Sequence, residues 1–257
     1  MTALYGELIA AFLLLTRLPI ARLGPAVTQA AFADAVWAYP IVGAVIGAIG
    51  AAVYIMCIRI GSPASLAAII SLTAVVLVTG GLHEDALADM ADGFGGGQSR
   101  ENKLEIMRDS RVGTFAVLAL VLTLAMRGAA IVAIGMPSKV ALALIVAGSV
   151  GRGMMIVPRL LLRPARANGL GAGLSSGSTT RSAIGLLLSA VLAPLFLPLA
   201  PALIVTVAAF VLALCVSALA WRQIGGYTGD VLGATEVIVE CAVLVVLASG
   251  TNSARLA

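Results

Sequence analysis

Seven of the twelve acidic residues in this 257-residue sequence fall between Glu84 and Asp109. Within that group Asp85, Asp89 and Asp92 stand at i, i+4 and i+7. On a helix these positions project within about 60° of one another, so the three carboxylates share one face. Stacked like charges repel, and the repulsion grows where the dielectric is low. A divalent cation relieves it, and hard carboxylate oxygens suit Mg²⁺ completed by substrate phosphate oxygens. The run Gly93-Phe94-Gly95-Gly96-Gly97 follows, and then Arg100, Lys103, Arg108 and Arg111. A glycine loop followed by bases is a means of cradling phosphate through backbone N–H groups and guanidinium forks. A second acidic group lies near the C-terminus, with Asp230 after Gly225-Gly226-Tyr227-Thr228-Gly229 and with Glu236 and Glu240 beyond it. Glu240 interrupts an apolar run, and a carboxylate at membrane depth is a functional candidate. The single histidine, His83, immediately precedes the acidic helix. It is a candidate metal ligand, phosphate contact or base.

The elements that position these residues are membrane helices. Sixty-one per cent of the chain is hydrophobic and only 11% is charged, against about 25% charged in ordinary soluble domains. The mean hydropathy is +1.09. Apolar runs predict spans near 35–58, 64–82, 113–134, 140–157, 183–197, 202–220 and 232–248, with 4–18 as a short or interfacial helix. The expectation is an all-α polytopic bundle of about seven or eight membrane helices, forming a single integral membrane domain over residues 1–257. Four polar connections, 21–34, 83–112, 158–182 and 221–230, are each separated by two spans and so share one face. Ten basic residues fall on that face, among them Arg22, Arg108, Arg166 and Arg222. Three fall on the other: Arg59, Lys139 and Arg255. By the positive-inside rule the long connections face the cytoplasm. Arg17, Arg127 and Arg152 lie inside apolar segments. The net charge of +4 does not indicate nucleic acid, because the bases flank spans and are not interleaved with aromatic residues. Cys57, Cys215 and Cys241 are far apart in apolar runs and read as packing residues.

The segment from His83 to Gly93, HEDALADMADG, resembles the H-x-D-x-x-A-D-x-x-D-G signature of the cobalamin synthase family (adenosylcobinamide-GDP ribazoletransferase). Residues 104–113, LEIMRDSRVG, and 225–234, GGYTGDVLGA, are similar to two further segments of that family, in the same order along the chain. Weaker similarities lie at Thr16–Pro19, Tyr39–Gly43 and Ala165–Gly171. The resemblance implies an inner-membrane enzyme that joins α-ribazole, or its 5′-phosphate, to adenosylcobinamide-GDP, releasing GMP and using Mg²⁺. It leaves room for a homo-oligomer. Its matching positions give the expected site: Asp85, Asp89, Asp92 and Glu240 for the metal, and His83, Arg108, Asp109, Arg111 and Asp230 for catalysis. Gly93, Arg166, Gly226 and Thr228 are the expected substrate contacts. Asp109, Asp230 and His83 all remain candidates for the general base. Glu84 and Ala86 depart from the family pattern, off the aspartate face.

Two other classes fit less well. A CDP-alcohol phosphotransferase also uses helix-borne aspartates and a metal, but its D-G-x-x-A-R-x8-G-x3-D-x3-D pattern is absent here. A transporter with intramembrane acids predicts repeated halves with broken helices meeting at the midplane; the sequence contains no repeat, and its acids cluster near one surface.

Overall fold

The computed structural model describes residues 2–23 and 27–256, so residues 24–26 of the expected 21–34 connection lie outside the described residues. The chain opens with α1 (Thr2–Leu15), a helix too short to span, followed by a 3-10 turn at Ile20–Leu23 and by α2 (Gln29–Asp34). Buried Glu7 holds α1 in place, accepting from Trp37 Nε1 at 2.6 Å and from Arg181 Nη2 at 2.9 Å. Next come α3 (Tyr39–Arg59) and α4 (Ala64–Thr79), then α5 (Leu82–Gly96) and the short α6 (Arg100–Ile106). The remaining helices are α7 (Thr114–Ile134), α8 (Pro137–Met154), α9 (Ile156–Leu161), α10 (Leu170–Leu174), α11 (Thr179–Phe196), α12 (Leu199–Ile224) and α13 (Gly229–Leu256). No strand is present among the described residues; an isolated bridge joins Pro164 to Tyr227.

Six helical stretches are long and apolar enough to cross a membrane, or seven if α4 and α5 count as one bent span. The architecture is therefore the expected polytopic all-α bundle. α8 and α13 form its interior, with 83% and 72% of their apolar windows buried, whereas α11 buries only 22%. α3 and α8 approach most closely through glycine: a Cβ on Gly43 or Gly47 would collide with the backbone of α8 at Gly148 or Leu144. Small residues at such crossings give helices in lipid the van der Waals contact that holds them together.

The region around residue 80 departs from the sequence expectation. α4 ends after 16 residues at Gly80 and Gly81, whose φ angles of 68° and 69° lie in the left-handed region that only glycine adopts freely. The chain then turns by 89° into α5. Residues 83–96 are therefore not a surface connection, as their polarity suggests. They form a helix packed into the bundle. The start of α4 lies near the end of α7, where Ser65 and Ile69 line a groove with Val132 and Ala133. The end of α5 lies at the start of α7, where Asp92 meets Gly113. The two helices thus meet α7 near its opposite ends, as a bent pair, either a broken span or a re-entrant segment. The break carries the acidic helix inward without a continuous polar helix having to cross lipid.

Candidate functional site

The acidic face of α5 divides in the structure. Asp85 is exposed and Asp89 is half-buried. Neither makes a hydrogen bond or ion pair among the described residues. Both lie near Asp230, whose charge acts on Asp89 together with that of Asp85. Asp230 enters at the first turn of α13, where Thr228 Oγ1 donates to its Oδ2 at 3.1 Å and Arg166 Nη2 approaches the same oxygen at 3.2 Å. Thr228 also accepts from the Val231 N–H at 3.3 Å, which caps the helix and fixes the acid's direction. The exposed Arg108 is near enough to act on Asp230 as well. Asp85, Asp89, Asp230, Arg166 and Arg108 thus lie in one electrostatic neighbourhood, in which the one direct contact between opposite charges is that of Arg166 with Asp230 among the described residues.

Asp92 does something different. Its Oδ2 accepts from the Gly113 N–H at 2.6 Å and its Oδ1 from the Ala116 N–H at 2.9 Å. These are orphan donors at the start of α7, and a carboxylate there also meets the positive end of the helix dipole. Asp92 therefore caps α7 and pins α5 to it. Asp92→Ala should lower stability by about 0.5–2 kcal/mol, readable as an earlier thermal transition of the detergent-solubilised protein. An unchanged transition with lost activity would instead place Asp92 in the chemistry.

The glycine run is not a loop. Gly93, Gly95 and Gly96 belong to the last turns of α5, and added Cβ atoms would strike Met107 at Gly93 and Phe115 at Gly95. These glycines let α6 and α7 close on α5, so the run expected as a glycine loop is helical up to Gly96. Gly226 serves a similar end. Its neighbour Tyr227 donates its N–H to Arg163 O (2.9 Å) and accepts at its carbonyl from Ala165 N–H (2.8 Å), and a side chain at 226 would meet Arg163 and Ala165. Arg100 secures the same crossing, its Nε donating to Ile224 O at 2.8 Å and its Nη2 to Ala165 O at 2.5 Å.

Asp109 and Arg111 pair at the surface: Arg111 Nε donates to both carboxylate oxygens, at 3.0 and 2.9 Å. The guanidinium hydrogen bonds hold the Asp109 carboxyl below its usual range. This pair lines an open groove with Asp92 and Thr114, whereas Asp85 and Asp230 line a separate small cavity together with His83.

Glu240, expected among the metal ligands, is engaged elsewhere. Ten residues beyond Asp230, it lies about 15 Å further along α13. Its Oε1 accepts from Arg127 at 3.1 Å and its Oε2 is 3.3 Å from Arg152. Arg127 also holds Glu84 at 2.9 Å, Arg152 holds Glu236 at 2.7 Å, and His83 Nδ1 lies 3.7 Å from Glu236 Oε2. Arg127, Arg152, Glu236, Glu240 and His83 are all buried. This ion network was not read from the sequence. Its signal was present in two arginines inside apolar runs and in two glutamates at i, i+4 on α13. Glu84, the departure from the family pattern, is one of its members.

Metal fit can be judged from this donor set. Among the described residues, no group of three or more His, Cys, Asp or Glu side chains is drawn together closely enough to hold an ion by itself. Asp85 and Asp89 are nevertheless hard oxygen donors whose side chains have no hydrogen-bond or ion-pair partner among the described residues, with Asp230 nearby. That matches a cation held by one or two carboxylates and otherwise by substrate oxygens and water.

Residues 7–248 match the family described as cobalamin-5-phosphate synthase. An adenosylcobinamide-GDP ribazoletransferase of Bradyrhizobium diazoefficiens is 42% identical over 234 residues, which cover 91% of this chain and 90% of the relative. Proteins of the same name from Mesorhizobium japonicum and Azorhizobium caulinodans are 40% identical over 238 residues and 43% identical over 215. These alignments cover 93% and 81% of this chain, and 91% and 81% of the respective relatives. No solved structure matches.

Proposed function

Because the chain belongs to the cobalamin-5-phosphate synthase family, we propose that it joins α-ribazole, or its 5′-phosphate, to adenosylcobinamide-GDP and releases GMP. The observation that carries this reading is the shared neighbourhood of Asp85, Asp89 and Asp230 with Arg166 and Arg108. Such a set suits a substrate that brings a diphosphate. In the reaction a ribose hydroxyl oxygen attacks the phosphorus that bears the cobinamide arm. A new P–O bond forms, the bond to the GMP phosphate breaks, and the hydroxyl proton passes to a base.

Asp85 and Asp89 would hold Mg²⁺, with Asp230 completing the acidic wall. Bound there, the ion would neutralise charge on the diphosphate and favour departure of GMP. Arg166 and Arg108 stabilise charge on the transferring phosphoryl group. For the base, His83 and Asp230 are better placed than Asp109: they line one cavity, whereas Asp109 is engaged by Arg111 at the surface. The excess of basic residues in the long connections supports a cytoplasmic orientation for this chemistry in the inner membrane.

The test uses purified protein in liposomes with adenosylcobinamide-GDP and α-ribazole, following GMP and adenosylcobalamin by chromatography. Equal amounts of the two products should form, cease with EDTA and resume with added Mg²⁺. Folded protein that forms neither product would overturn the reading. Products formed equally well in EDTA would keep the transferase and remove the metal.

A further inference from the structure

An open groove of about 400 Å³ lies beside the C-terminal half of α5, and its lining includes Asp92, Ile106, Asp109, Arg111 and Phe115. Its polar groups are accessible: the Arg111 side chain is 88% exposed and that of Asp109 33%. Phe115 is 49% exposed, yet its ring is fixed. A Cβ on Gly95 would come within 2.6 to 2.8 Å of three of the ring carbons. The ring therefore lies against the bare backbone of α5, and part of it remains as a wall of the groove.

The chemistry of these groups narrows the occupant. Asp109 grips Arg111 along one edge: Nε donates to both carboxylate oxygens, at 3.0 and 2.9 Å, and Nη2 donates to Oδ2 at 2.5 Å. Nη1 makes no hydrogen bond among the described residues, and Nη2 retains a second N–H. The two terminal nitrogens thus form a free pair of donors whose direction Asp109 sets. Such a pair matches the O6 and N7 acceptors of guanine, whereas adenine would bring its N6 amino group against a donor. An exposed aromatic ring suits the stacking of a base. The groove also lies close to the acidic site. Asp92 lines it, and Asp89 stands three residues earlier on the same face of α5, about 4.5 Å along the axis. A diphosphate at Asp85 and Asp89 would leave its nucleoside within reach of the groove.

We propose that this groove is the base subsite for the guanosine nucleotide of the donor: Arg111 reads O6 and N7, Phe115 supplies the stacking surface, and Asp109 is a positioning residue for Arg111. The assignment rests on the transferase reading given above and places the part of the donor that the acidic site does not hold. Selectivity for the base then resides in the groove, and the chemistry resides at the carboxylates.

Equilibrium dialysis of labelled GMP, IMP and AMP against the purified protein in detergent with Mg²⁺ tests this without turnover. AMP should bind roughly five- to a hundredfold more weakly than GMP, the discrimination of one bidentate contact. IMP keeps O6 and N7 and lacks only the 2-amino group, so it should bind nearly as tightly as GMP. Arg111→Met should bring GMP to the level of AMP, and Asp109→Asn should narrow the preference by a smaller factor. Phe115→Leu should weaken all three nucleotides and keep their order. In liposomes, Arg111→Met should raise the KM for adenosylcobinamide-GDP and leave that for α-ribazole unchanged. Should Arg111→Met fail to fold, Arg111→Lys, which keeps the charge without the fork, carries the same comparison. Equal binding of GMP and AMP by wild type would overturn the subsite, as would IMP binding as weakly as AMP or a preference that survives in folded Arg111→Met. Wild type that forms no product yet prefers GMP to AMP would overturn the transferase reading and leave the base subsite standing.

Discussion

Asp89→Asn is expected to fold normally and to lose about 10²–10³ in turnover, the scale seen when one fixed electrostatic contact to a reacting group is removed. The substitution keeps shape and hydrogen-bonding capacity while deleting one negative charge. Asp89 sits half-buried among Asp85, Asp92 and Asp230 without any hydrogen bond of its own. Nothing in the fold depends on its charge, and removing one of several crowded like charges should leave the thermal transition unchanged or raise it. Asp92→Asn provides the contrast. Its carboxylate is occupied by the Gly113 and Ala116 N–H groups, so its loss should appear first in stability and only secondarily in rate. Both variants are compared by GMP release and by thermal unfolding in one detergent. Equal losses of activity in two equally stable proteins would mean that the three aspartates act as one unit and that the division between them is wrong.

That division also shows what the sequence could convey about this site. Helical spacing correctly placed Asp85, Asp89 and Asp92 on one face, because angular position depends only on residue number. It could not tell that the start of α7 would come within reach of Asp92, since that depends on how α4 and α5 bend. The bend itself was written as Gly80-Gly81, yet an apolar run from Ala64 to Leu82 is also what an unbroken span looks like. Hydropathy therefore led to an expectation of seven or eight membrane helices, where six are long and apolar enough to span and a seventh is bent in two. The glycines of residues 93–97 misled in the opposite direction. In isolation they suit a phosphate loop, and only the proximity of Met107 and Phe115 shows that they serve helix packing. Arg127 and Arg152 carried no weight in the charge count because they lie inside spans, although an unpaired guanidinium in lipid is itself a demand for a partner. Matching them to Glu84, Glu236 and Glu240 required the three-dimensional arrangement of α5, α7, α8 and α13.

Arg152→Met should be among the most destabilising single substitutions in the chain, by about 3–5 kcal/mol, the usual cost of removing one partner of a buried ion pair. Arg152 is 1% exposed. Its Nη1 lies 2.7 Å from Glu236 and 3.3 Å from Glu240. Glu240 would keep Arg127 at 3.1 Å, but Glu236 would lose the only cationic partner it has among the described residues, apart from the histidine when protonated. A lone buried carboxylate must either remain charged at high cost or take up a proton, and either change weakens the join between α8 and α13. The cost therefore arises largely from what is left behind, so Arg152→Met with Glu236→Gln should be more stable than Arg152→Met alone. Denaturant titration in mixed micelles across the four proteins of this cycle gives the coupling directly. A single variant within about 1 kcal/mol of wild type would mean that water reaches Glu236 and solvates it. A double variant no better than the single would mean that Arg152 contributes packing through its aliphatic stem and not through its charge. The same network also reaches α5, with Glu84 held by Arg127 at 2.9 Å and His83 Nδ1 3.7 Å from Glu236. The buried charges of α7, α8 and α13 thereby bear on the helix on which Asp85 and Asp89 stand.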